Sequence, residues 1–330
     1  MNTSVAELSL VLLYSAMAVY AIAFVAYAMD LARRSAPAAT VEAQRTPVLV
    51  GAVAPTTVRS PGNLEARRGL GASATKRSTG RASRVAFALT VLAWVLHLGA
   101  TALRGLAGQR VPWANMFEFS LTGALLIVGV FLVVQIWVDV KFLGTFVIGL
   151  MLVLLGVATV GFYVDVVPLP PALQSAWLVI HVFVALLATA FFALSFAASS
   201  LQLAQGRRER KPEAPLGIFG RALSTIPDSQ ALDVIAYRIT IVGFALWTFT
   251  LMAGSIWAER AWGRYWGWDV KEVWTFIIWI IYAAYIHAKA TRGWHGAPAA
   301  WLAIIGFAAV LFNFGIVNVF FTGLHSYSGL

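Results

Sequence analysis

Four tryptophans, an aspartate and a glutamate fall within the thirteen residues WGRYWGWDVKEVW, Trp262 to Trp274. Tryptophan offers a broad apolar face and one N–H donor, so a cluster of them suits a large planar ligand. Trp262, Trp266 and Trp268 lie within seven residues, with Gly263 and Gly267 between them to let the backbone turn. They read as a short outer loop forming a flat apolar platform. The competing reading is a dense interfacial belt, although a belt normally sets one or two aromatic rings at each helix end. Asp269 and Glu272 stand three apart where the apolar run VWTFIIWIIYAAYIH begins, the arrangement of an N-cap and an acidic first turn. Capping and ligand contact are both open to them.

The remaining candidates are five histidines, His97, His181, His287, His295 and His325. An ionisable side chain inside a bilayer is costly and points to function. The chain contains no cysteine, which removes thiolate ligands, disulfides and a cysteine nucleophile. It has no carboxylate cluster of the kind a hard metal takes. Two imidazoles beside an aromatic surface meet the needs of a haem: axial nitrogens for the iron and apolar contact for the macrocycle. His181 and His325 are that pair, because the topology below puts them on the tryptophan side. Arg260, Arg264 and Lys271 are then available to the propionates. Each histidine also has a plainer reading: His287 as an interfacial residue beside Tyr285 and Lys289, His97 as a packed polar group between helices, His295 as part of a solvated turn, and His325 as a tail residue.

These residues must be positioned by membrane helices. Of 330 residues, 60% are hydrophobic and 12% charged, far from the balance of a soluble domain. Eight apolar stretches reach the roughly 18 residues that cross about 30 Å of hydrocarbon. They lie near 8–29, 85–105, 119–138, 142–161, 175–204, 234–256, 273–291 and 299–319. The expected fold is an all-α polytopic membrane protein of about eight transmembrane helices. The first stretch is followed by Asp30 and Arg33 rather than a small-residue cleavage site, so it reads as a retained helix and not a signal peptide.

With the first terminus outside, the cytoplasmic segments carry 18 Lys and Arg and the outer loops carry five. The positive-inside rule therefore places both termini and the tryptophan segment outside. The net charge of +10 reflects this asymmetry and implies no nucleic acid. Residues 33–84, rich in Ala, Arg, Ser, Thr, Gly and Pro, read as a disordered cytoplasmic linker. That leaves 1–32 as a first transmembrane helix and 85–330 as a seven-helix core. No Walker motif or GxGxxG fingerprint suggests nucleotide-driven transport. His181 sits about six residues, or roughly 9 Å, below the outer surface, and His325 lies in the tail FTGLHSYSGL. His287 follows Asp269 by 18 residues, about 27 Å along a helix and almost at the cytoplasmic face.

The run from Trp262 to His287, WGRYWGWDVKEVWTFIIWIIYAAYIH, resembles the WWD signature of the haem-handling proteins of cytochrome c biogenesis. Within these the chain is similar to the CcsA/ResC branch of system II, often labelled CcsB in actinobacteria. VPWANMFEFS resembles the family's first outer loop, SAWLVIHVFVALLATAFFALSF a segment carrying an outer histidine, and FNFGIVNVFFTGLHSYSGL the C-terminal segment carrying the other. The likeness covers roughly residues 85–330. It implies that His181 and His325 ligate haem iron at the outer site, and that Trp262, Trp266, Trp268, Asp269 and Trp274 cradle the haem b. His287 is implied as the ligand of an inner haem site completed by a ResB-type membrane partner. The implied function is that of a haem-handling subunit in a cytochrome c synthase (haem lyase) complex of the bacterial plasma membrane, presenting haem to the CxxCH motif of apocytochrome c. The alternative is a haem transporter or chaperone that forms no thioether bond. No implied role attaches to His97 or His295.

Overall fold

The computed structural model describes residues 3–35, 81–167, 169, 174–211 and 217–325. These residues form helices and connections with no strand. In chain order the helices are α1 (Thr3–Ser35), α2 (Arg81–Gly108), α3 (Met116–Val134), α4 (Gly144–Gly161), α5 (Ala176–Glu209), α6 (Ile218–Leu223), α7 (Ser229–Trp262), α8 (Val270–Arg292), α9 (Ala297–Phe314) and α10 (Ile316–Phe320). A 3-10 turn, Lys141–Leu143, leads into α4. Among the described residues, eight segments are long and apolar enough to cross a membrane, with α9 and α10 counted as one.

Several helices overrun their apolar cores. α5 and α7 are 34 residues each, about 51 Å at 1.5 Å per residue, whereas hydrocarbon occupies about 30 Å. Hydropathy registers only the lipid-compatible part, while the backbone hydrogen-bond ladder continues through polar residues. One consequence corrects the sequence reading: Trp262 is the last residue of α7, and only Trp266 and Trp268 lie in the loop that follows. The proposed disordered linker falls largely outside the described residues, and its two ends are helical, through Ser35 and from Arg81.

α1 packs along α2, α5 along α7, and α8 against α9, while α3 touches both α4 and α5. Ala86, Ala93 and Ala100 of α2 are fully buried and recur every seven residues. Together with Ala16 and Ala23 of α1, also fully buried, they let the two backbones approach closely, as small residues do between membrane helices. Buried tryptophan N–H groups find carbonyls across helices: Trp94 bonds Leu125 O at 3.0 Å and Trp247 bonds Thr275 O at 3.1 Å.

A buried charge cluster fixes the start of α3. Asn115 caps that helix, its side chain accepting from the Glu118 N–H at 2.9 Å. The Glu118 carboxylate receives Arg104 Nε at 3.1 Å, the Arg110 guanidinium, and the Ala114 N–H at 3.1 Å. Arg104 also donates to Val164 O at 2.6 Å, which joins the connection after α4 to the same point. Glu118→Ala would leave two arginines without their carboxylate, and removing one partner of a buried ion pair costs about 3–5 kcal/mol. The expected result is a clear drop in thermal stability of the purified variant, smaller for Glu118→Gln. Equal stability of Glu118→Ala and wild type would refute the assignment.

Candidate functional site

Three separate stretches of chain meet where α7 ends and α8 begins. Gly263 stops α7 in the left-handed conformation, φ +70°, at little cost to a residue without Cβ. Asp269 and Glu272 open α8 as a capping box, as their spacing suggests. Glu272 Oε2 accepts from the N–H of Gly267 at 2.8 Å and of Asp269 at 3.0 Å, so the loop is hung on the first turn of α8. Ser175 caps α5 by accepting the Trp177 N–H at 3.2 Å, which places His181 in the second turn of that helix.

His181 and His325 converge on one side chain, Trp257 of α7. His181 lies nearly parallel to it, with centroids 5.9 Å apart and planes at 15°. His325 meets it edge-on at 5.5 Å and also meets Trp262 at 4.7 Å. Trp257 is only 2% exposed and forms, with Leu178, an apolar cluster apart from the main core.

The hydrogen bonds of the two imidazoles fix which nitrogen is free. His181 Nδ1 lies 3.0 Å from the carbonyl oxygen of Thr250. A carbonyl can only accept, so Nδ1 carries the proton and Nε2 keeps its lone pair. His325 Nδ1 lies 2.6 Å from Asp269 Oδ2, with the same consequence. Chiefly through that bond, the Asp269 carboxyl is held below its ordinary value of 3.8. A second group that orients a histidine and raises its basicity is typical of metal ligation.

His181 reaches Thr250 through a notch in α7. A Cβ on Gly254 would lie 2.7 Å from the imidazole, closer than side chains pack. Gly254→Val is therefore expected to push the ring off the Thr250 carbonyl and lower affinity for an imidazole-ligated metal about 10–100-fold, the usual cost of disturbing a ligand's orientation. Unchanged metal affinity in a folded Gly254→Val protein would contradict the notch. A Cβ on Gly323 would likewise collide with the Asp269 carboxylate, so glycine there lets the C-terminal turn bring His325 in.

The tryptophans do not share a plane. Trp266 and Trp268 are perpendicular, 5.8 Å apart, and Trp268 is 70% exposed with φ +59°, an uncommon conformation for a residue with a side chain. Trp274 packs on Phe312 of α9 at 4.3 Å and is not among the residues that line the cavity below the histidines. In place of the expected flat shelf, Trp262 and His325 stand edge-on to Trp257 while His181 lies nearly parallel to it. Sequence reading missed Trp257, although it stands five residues before Trp262, as well as Thr250 and Gly254, whose roles have no sequence signal.

Below the two histidines a cavity of about 170 Å³ runs between α3, α5, α7, α8 and α9. Trp266, Lys271 and Glu272 line its polar end, and Trp247 and Phe307 its apolar depth. This is less than the roughly 300–1,000 Å³ of typical ligand sites, so a macrocycle would extend across the mouth. The donor set fits haem. Two free imidazole nitrogens are too few for the usual four-coordinate zinc but match the axial positions of an iron whose other sites a porphyrin fills.

The remaining histidines lie elsewhere. His287 is exposed on α8, about 27 Å along the helix from Asp269. His295 Nδ1 stands 3.3 Å from Asp233 Oδ2, which also takes the Lys289 ammonium at 2.6 Å. His97 is fully buried against the edge of Tyr20, centroids 6.0 Å apart.

Comparison with known proteins bears on the same region. The family model described as cytochrome C assembly protein matches residues 113–325, a range that includes His181, Trp257, Asp269, His287 and His325. The chain is 31% identical over 261 residues to "Cytochrome c biogenesis protein CcsA" of Guillardia theta, covering 74% of this chain and 86% of that one. It is 40% identical over 173 residues to the protein of the same description from Prochlorococcus marinus subsp. pastoris, covering 48% and 55%. The match thus spans little more than half the length of the Prochlorococcus relative. Among solved structures, "Cytochrome c Heme Lyase CcmF" superposes with a TM-score of 0.61 at 16% identity, over 94% of this chain and 46% of that one. At that identity the likeness is one of fold.

Proposed function

The chain belongs to the cytochrome C assembly protein family, and from that premise we propose that it is the haem-handling subunit of a system II cytochrome c synthase. The observation that carries the proposal is the pair His181 and His325, brought together at Trp257 with both Nδ1 atoms engaged and both Nε2 atoms free. In this role the two Nε2 atoms hold haem b iron at the mouth of the cavity. Trp257, Trp262 and Trp266 exclude water beside the ring, and Asp269 and Thr250 keep the imidazoles aimed. Apocytochrome c brings its CxxCH motif to the exposed rim near Trp268. Each cysteine S–H adds across a haem vinyl, sulfur to one carbon and hydrogen to the other, without an external oxidant. The chain's contribution is to hold the partners in register, an effect worth up to about 7–11 kcal/mol in well-aligned systems.

The distribution of basic residues supports an orientation in which the tryptophan loop and His325 face outward across the bacterial plasma membrane. His287, exposed near the other end of α8, is then available to an inner haem whose second ligand comes from a ResB-type subunit. The names of the relatives, cytochrome c biogenesis proteins, agree with this role.

The test is to express the chain with a ResB-type partner and an apocytochrome in cells lacking their own maturation system. Covalent, haem-stained cytochrome c that disappears with His325→Ala is expected. Haem bound to the complex without thioether product would replace this reading by that of a transporter or chaperone.

A further inference from the structure

Of the three cations available for carboxylate recognition, the structure distinguishes one. Arg260 lies over the Trp177 ring, 5.9 Å from its centroid, and Arg264 folds against Gly267. Lys271 alone of the three lines the cavity that also bears His181 and His325.

The chemistry around Lys271 is unbalanced. Its ammonium donates to Asn318 Oδ1, and Asn318 in turn donates to Met116 Sδ at 3.2 Å. These partners are neutral, so they aim the ammonium without cancelling its charge. The two nearby carboxylates are engaged elsewhere. Asp269 takes the His325 imidazole. Glu272 takes two backbone N–H groups at the start of α8, where the helix dipole also favours negative charge. No carboxylate lies within ion-pair distance of Lys271 among the described residues, although five other Lys and Arg side chains are so paired. An ammonium held by an amide beside a cavity is an anion site in waiting, because a partly desolvated charge gains most from an ionised acceptor.

Resting on the haem reading above, the geometry points to Lys271 as the positioning residue that takes a propionate carboxylate of the porphyrin and so fixes its rotation about the His181–His325 axis. Rotation decides which edge of the ring, carboxylate or vinyl, points outward toward an incoming thiol. Lys271 then determines specificity for porphyrins with free acid groups.

The experiment titrates the purified full chain with haem and with haem dimethyl ester, whose carboxylates are blocked, following the absorption band of two-imidazole ligation. The wild type should bind the free acid about 10-fold or more tightly than the ester, as expected for a charge-assisted hydrogen bond. Lys271→Met should lose that preference while the ester still gives the two-imidazole spectrum, and Lys271→Arg should retain it. Equal affinity of the wild type for acid and ester overturns the proposal whether or not the variants fold, as does an undiminished preference in Lys271→Met. A wild-type protein that shows no histidine-dependent spectrum with either ligand overturns the haem reading itself. The two failures are therefore distinguishable.

Discussion

His181→Ala protein, purified without a partner subunit and supplied with haem, loses the absorption signature of two-imidazole ligation, and millimolar imidazole restores it. The loss should be close to complete, because one of only two free nitrogens at the site is removed. The rescue follows from the notch. With the side chain gone, the space beside Gly254 and the acceptor at Thr250 O remain, and a free imidazole can occupy both. His325→Ala should behave alike, with Asp269 as the acceptor for the added imidazole. His287→Ala serves as the control, since that residue is exposed and lies about 27 Å along α8 from Asp269, and its loss should leave the His181–His325 spectrum intact. Unaltered spectra in both His181→Ala and His325→Ala would place haem elsewhere.

The second large effect belongs to Asp269. Its carboxylate is the acceptor for His325 Nδ1 at 2.6 Å, and Asp269→Ala removes the group that ties His325 to the start of α8. A lost second-sphere partner costs about 10–100-fold in metal affinity, and a free-swinging His325 puts Asp269→Ala at the upper end of that range. Asp269→Asn keeps an oxygen acceptor and should fall between. The pH dependence has a definite sign. The folded Asp269 pKa lies below its ordinary 3.8, so the stabilisation is fully present above 3.8 and is lost as pH falls through the depressed value. Haem titrations of wild type should therefore show no Asp269-dependent weakening from pH 7 down to about 5, and a loss below about 3.8. Asp269→Ala affinity equal to wild type at neutral pH would remove Asp269 from the site.

Both effects depend on side chains from distant parts of the sequence, which shows how differently the parts of this molecule can be read. The eight spans were legible because burial in lipid demands long apolar runs, and their number agrees with the helices observed. Their ends were less legible, since a helix continues wherever its own hydrogen bonds continue, which is why α7 carries Trp257 and Trp262 beyond the apolar stretch. The capping role of Asp269 and Glu272 was visible because it is set by residues three apart.

Membrane class and the order of helices were readable from the residues alone, because both depend on local composition, and the WGRYWGWD stretch carried the resemblance to the family. It took the packed helices to show that His181 and His325, 144 positions apart, share Trp257, and that Gly254 opens the notch for one imidazole. Their packing likewise decided that Trp274 turns to Phe312 and that Lys271, not Arg260 or Arg264, lines the cavity. The reason is geometric: spacing along a helix fixes directions within that helix, while the partner each direction meets is set by how α5, α7, α8 and α9 pack against one another.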